Sequence, residues 1–212
     1  MDAGSAQTAL VRPRIPLPHH VEDPAELVAV LRTWPAANQI HWMRSLGASQ
    51  LKRLWNLSLQ SDAILPVEAF ATDAVTICPG KNHLPVFCWF EKRFAKVGDQ
   101  VVGYNETGWE KLFVGAGHFT VHPVEGQPAE VLIDYGRPPE RTHPDFPPLS
   151  DNQRLGGWPA PLERIVYGGG MRDRLRRVGG SLLIGTSVVD GFSLQKGAFF
   201  ALHLPEENLG GQ

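Results

Sequence analysis

MRDRLRRVGGSLLIGTSVV, residues 171–189, is the stretch whose reading decides the fold. Gly179 and Gly180 reach positive φ without steric cost, so they read as a tight turn between strands at about 171–178 and 181–189. The same pattern repeats outward from this hairpin. Short runs with a period of two, or of continuous apolar character, predict strands at about 74–78, 85–95, 100–106, 112–122, 129–135, 163–168 and 198–204. Gly98-Asp99, Gly126-Gln127 and Asp190-Gly191 supply further turns. About eight or nine consecutive antiparallel strands leave two sticky edges unless the sheet closes, so residues 63–212 are expected to form a small up-and-down β-barrel. The Pro-rich run 137–162 is too long for a hairpin and is expected to cover one end or side of that barrel.

Ahead of the strands the apolar period is helical. Asp23 caps a first helix with Pro24 at its first position and Glu26 in its first turn, and Leu27, Val30, Leu31 and Trp34 form one stripe. A second helix is expected over about 36–46, with Ile40, Trp42 and Met43 on its apolar side and Gly47 stopping it. A third starts near Ser49 and carries Leu51, Leu54, Trp55 and Leu59. A lead-in spanning only 23–62 is too small to bury its own tryptophans, so it must pack on the barrel, and its helices offer a face for a homo-oligomer. Residues 1–22, punctuated by Pro13, Pro16 and Pro18, are expected to be a flexible arm. The fold class is therefore mainly β with N-terminal helices.

Composition narrows the partners. Hydrophobic residues are 42% of the 212, charged residues 20%, and the net charge is -2, which lacks the basic footprint of a nucleic-acid binder. Neither a signal-peptide core nor an apolar run of about 18 residues occurs, so the expected chain has no membrane span and is cytoplasmic. In that compartment Cys78 and Cys88, although able to face each other across a hairpin, stay reduced thiols, and the sequons at 56–58 and 105–107 read as accidental. No Cys-x-x-Cys, G-x-S-x-G elbow, P-loop, HExxH or strand-to-helix G-x-G-x-x-G is present, so neither metal nor cofactor is expected.

Polar residues inside apolar strands mark candidate sites, because a buried charge or imidazole needs a partner. His118, Thr120 and His122 share one face of their strand, and Asp134 on the next strand could meet one of the imidazoles. With Glu106 as a second carboxylate, these are the candidate catalytic groups for proton transfer near neutral pH. A solvated outer face explains the same alternation. Trp89, Glu91, Tyr104, Asn105, Trp109, Phe119, Tyr135, Arg172, Asp173 and His203 are candidate ligand-binding residues, joining aromatic walls to a few polar groups. Arg172, Arg174 and Arg176 share a face, either as an anion anchor or as an ordinary charged exterior.

A helical lead-in followed by meandering strands, ending in the RLRRV-turn-LLIGTS hairpin from Arg174 to Ser187, resembles the lipocalin-like, or calycin, β-barrels. The resemblance covers the chain from about residue 66 onward. The lipocalin Gly-x-Trp has no counterpart at the first strand, since Gly108 and Trp109 are adjacent and lie mid-chain. Family likeness implies carriage of a small apolar or aromatic molecule inside the barrel. Some barrels of this shape act instead as cofactor-independent cyclases, isomerases or dehydratases. A solid barrel whose helices form a protein interface is the third reading.

Overall fold

The structure, a computed structural model, describes residues 23–72, 74–83, 88–106, 117–149, 171–188 and 198–209. The arm 1–22, the strand expected at 163–168, Trp109, and the cover beyond residue 149 lie outside the described residues. Three helices precede the sheet: α1 (Pro24–Arg32), α2 (Ala36–Ser45) and α3 (Ala48–Ser58). Asp23 caps α1 as its side chain predicts, with Oδ1 accepting from Ala25 N at 2.8 Å. Gly47 both follows α2 and opens α3, its N–H donating to Gln50 Oε1 at 2.8 Å.

Eight strands follow: β1 (Thr76–Asn82), β2 (Trp89–Val97), β3 (Gln100–Glu106), β4 (Phe119–Pro123), β5 (Glu130–Asp134), β6 (Arg172–Gly179), β7 (Leu182–Val188) and β8 (Phe199–His203). Each pairs antiparallel with the next, and β8 pairs back with β1, Gly80 standing opposite Leu202. The result is a closed eight-stranded antiparallel barrel, consistent with a calycin-like shape. Within the expected strand 112–122 the described β4 begins only at Phe119.

The connections fall at two ends, those at the second being the longer except that 83–88 equals 124–129. At one end, 98–99, 124–129 and 180–181 are short, and Gly98, Gly126 and Gly180 adopt positive φ there. At the other, the strands are joined by 83–88, 107–118, 135–171 and 189–198. A single-turn helix, Val67–Phe70, packs across the short-turn end: Phe70 is fully buried and its ring lies 4.6 Å from that of Phe94. Rings continue along the interior from Phe94 to Phe119 at 5.4 Å and from Phe119 to Tyr135 at 5.2 Å.

Outside, α1 to α3 bury Leu27, Leu31, Trp42, Met43, Leu51 and Leu54 against β6, β7 and β8. Arg176 ties helix to barrel by donating to the Ser58 carbonyl at 3.2 Å and to Glu130 Oε2 at 3.0 Å. The described part of the Pro-rich run lies over the side of the barrel, where Phe146 packs on Tyr104 with ring centroids 4.8 Å apart. No helix among the described residues is long and apolar enough to cross a membrane.

Candidate functional site

Strand alternation sorts each residue to the inner or outer wall. Cys78, Lys92, Phe94, Val101, Phe119, Val121, Ile133, Leu175, Leu183 and Leu202 share the inner side, as their register and common core require. Lys92 is the exception in chemistry: a charged side chain only 3% exposed, directly across from Cys78. Such an ion needs partners, because desolvating it alone costs several kcal/mol or more.

Its direct partners come from three other strands or strand ends, and a fourth strand supplies Ser187 behind them. Lys92 Nζ lies 3.0 Å from Asp173 Oδ2, donates to Asn105 Oδ1 at 2.9 Å, and bonds the Tyr135 hydroxyl. Tyr135 donates to Asp173 Oδ2 at 3.1 Å and accepts from Asn105 Nδ2 at 3.1 Å. Ser187 Oγ donates to Asp173 Oδ1 at 2.6 Å. All three ammonium protons and both carboxylate oxygens are thus engaged. Around Nζ the rings of Phe119, Phe200 and Phe90 have centroids at 5.1, 5.3 and 5.6 Å, within cation–π range, while Tyr135 meets it through the hydroxyl at its edge. Burial pushes the Lys92 ammonium below its ordinary pKa of 10.5, with Asp173 pulling the other way. Burial likewise pushes the Cys78 thiol far up, so it is not a reactive thiolate.

Position along the strands gives this layer its meaning. Lys92 stands near the start of β2, Asn105 near the end of β3, Tyr135 just past β5, Asp173 near the start of β6 and Ser187 near the end of β7. All of those ends lie on the side of 83–88, 107–118, 135–171 and 189–198. The rings of Phe70 and Phe94 fill the interior on the short-turn side of the layer, and the ring of Phe119 borders the layer itself.

Of the residues singled out from the sequence, Asn105, Phe119, Tyr135 and Asp173 meet in this layer. The others are elsewhere. Tyr104 donates to Glu106 Oε2 at 3.1 Å and Glu91 pairs with Arg93 at 3.0 Å, both on the outer wall of β2 and β3. Trp89 is 61% exposed. His118 is buried beside Tyr104, with ring centroids 5.9 Å apart. His122 Nε2 lies 2.8 Å from Thr120 Oγ1, and Asp134, opposite Thr120, faces Arg172 at 3.5 Å and Arg137 at 3.9 Å. Arg174 and Arg176 converge on the buried Glu130, completing an outer ion ladder on β5 and β6. His203 is buried on the outer side of β8 opposite Leu182, and burial lowers its pKa against the pull of Glu206 and Glu207.

Lys92 and Ser187 were missed from the sequence, and Lys92 carried a readable signal. In FEKRF the alternating set is Phe90, Lys92, Phe94, so a cation interrupts the apolar face and not the solvated one. Glu91, its neighbour, points out. Both cysteines are free thiols, Cys78 buried and Cys88 half-buried. Among the described residues no cluster of three or more His, Cys, Asp or Glu could hold a metal ion. A groove of about 640 Å³ lies at the short-turn end, lined among others by Leu65, Val67, Val101, Val121, His122 and Glu130.

Comparison of the chain with family models, with curated proteins and with solved structures finds no match.

Proposed function

We propose that this chain is a calycin-type carrier that holds a small apolar or aromatic molecule at the long-connection end of the barrel, seated on the Lys92 layer. The observation carrying this reading is the convergence of Lys92, Asn105, Tyr135, Asp173 and Ser187, from five strands or strand ends, on one interior level. A binding floor needs a few placed polar groups within aromatic walls, which is the composition of this level. Polar atoms of the guest exchange with the internal hydrogen bonds of the layer, and its apolar body rests on Phe90 and Phe200.

A proton-transfer enzyme built on His118 or His122 with Asp134 or Glu106 has less support, since Asp134 is already committed to two arginines on the outer wall. The groove beside His122 is where that reading would act. Fluorescence titration with N-phenyl-1-naphthylamine separates the two. Saturable binding of one probe per chain, abolished by Ser187→Phe and retained in His122→Ala, supports carriage at the mouth. Binding lost in His122→Ala and kept in Ser187→Phe, or no saturable binding, overturns it. Pairing of two copies through the helices is the accompanying partner proposal, read directly as a doubled mass in sedimentation equilibrium.

A further inference from the structure

The layer contains the parts of a carbonyl-condensing site, and we propose that Lys92 forms a reversible imine with an aldehyde borne on a flat, conjugated apolar body. This inference rests on the carrier reading and names its ligand class. Three features carry it. First, among the described residues the hydrogen-bonding cation that faces inward at this level is a primary amine, the one side-chain cation able to condense with a carbonyl. Arg would have served a purely structural pair at least as well. Second, Asp173 and the Tyr135 hydroxyl both lie within hydrogen-bond reach of Nζ, one as a proton store and later counter-ion, the other as a relay. Third, three phenyl rings surround Nζ at 5.1 to 5.6 Å, which suits a flat guest and lowers the polarity that would otherwise keep the amine charged.

The chemistry balances without any outside reagent. In the apolar level the Lys92 ammonium passes one proton to Asp173, leaving a neutral amine beside a neutral carboxyl. The Nζ lone pair attacks the aldehyde carbon, a C–N bond forms, and a proton moves from nitrogen to the carbonyl oxygen through Tyr135, giving a carbinolamine. Its hydroxyl then leaves as water with the proton held by Asp173. What remains is a protonated imine paired with the Asp173 carboxylate, the charge arrangement the layer began with. The lowered pKa of Lys92 acts in the same direction, because it raises the share of reactive amine near neutrality.

Reductive trapping tests this. The full chain is incubated with 6-methoxy-2-naphthaldehyde and sodium cyanoborohydride near neutral pH, and the modified lysines are mapped by proteolysis and mass spectrometry. Labelling of Lys92 at least about tenfold above Lys52, Lys81 and Lys96, and its loss in Lys92→Arg, is the expected result. Label spread over Lys52, Lys81 and Lys96 with Lys92 untouched overturns the inference, and the wild-type map decides this even where Lys92→Arg does not fold. Displacement of N-phenyl-1-naphthylamine by the aldehyde without Lys92 labelling defeats the imine and leaves the carrier reading standing. Failure of both probes to bind defeats the carrier reading as well.

Discussion

Lys92 and Asp173 are a buried pair whose removal should be far from additive. Taking away one partner strands a desolvated charge, at about 3–5 kcal/mol, whereas replacing both with apolar groups of similar size is close to neutral. Urea unfolding of Lys92→Met, Asp173→Leu and the double variant should therefore show two large losses and a double variant more stable than either. Additive losses would mean the pair is not coupled. His203 gives a second residue-scale prediction. Its folded pKa lies below the unfolded value of 6.5, so below that pH the unfolded chain binds more protons than the folded one. Stability from this group is complete above pH 6.5 and falls as the pH drops through the lowered folded value. A plot of unfolding free energy from about pH 7.5 to 5 should slope downward toward acid, and His203→Gln should flatten it; equal slopes would contradict the assignment. At this scale the sequence was half legible. Asn105, Tyr135 and Asp173 could be singled out as polar residues in apolar strands, but which wall they faced depended on the register with distant strands, which local spacing does not encode.

Glycine-on-phenyl pairs set the wall of the barrel at the scale of its strands. Gly80, Gly103 and Gly185 lie under the rings of Phe90, Phe119 and Phe200 respectively, and an added Cβ would stand 2.2 to 2.7 Å from those rings. The reading of strand glycines as places of close approach holds here, the approaching group being a neighbouring side chain. Two of the pairs should behave differently. A Cβ at Gly185 meets only the Phe200 ring among its nearest atoms, while one at Gly103 also meets the Arg93 carbonyl at 2.5 Å. Gly185→Ala and Gly103→Ala should each cost about 1–3 kcal/mol in a chemical denaturation series. Phe200→Leu should relieve the first, and Phe119→Leu should leave most of the second; equal relief would refute the backbone clash. Helix starts were readable because capping is local, as at Asp23. That Gly117 and His118 stand outside the β4 ladder was not readable, because GHFTVH alternates well enough to pass for strand and only pairing with β3 and β5 decides which residues join.

Closure of the whole molecule comes from β8 pairing back onto β1 after eight strands in sequence order. Short turns at one end, crossed by Val67–Phe70, let aromatic side chains fill that half of the interior. The polar level around Lys92 adjoins that filling, with the rings of Phe90, Phe119 and Phe200 beside Nζ. Architecture was accessible from the sequence because period-two runs and glycine turns recur over the last two-thirds of the chain. Depth of filling was not, since it depends on how rings from opposite strands meet along the axis. Methyl NMR during titration with N-phenyl-1-naphthylamine tests the central claim most directly. The account predicts shifts concentrated on the inward Ile133, Leu202 and Met171, with the outward Leu132, Ile184 and Val102 unmoved. Shifts confined to the outward set, or a spectrum that the probe leaves unchanged, would contradict it.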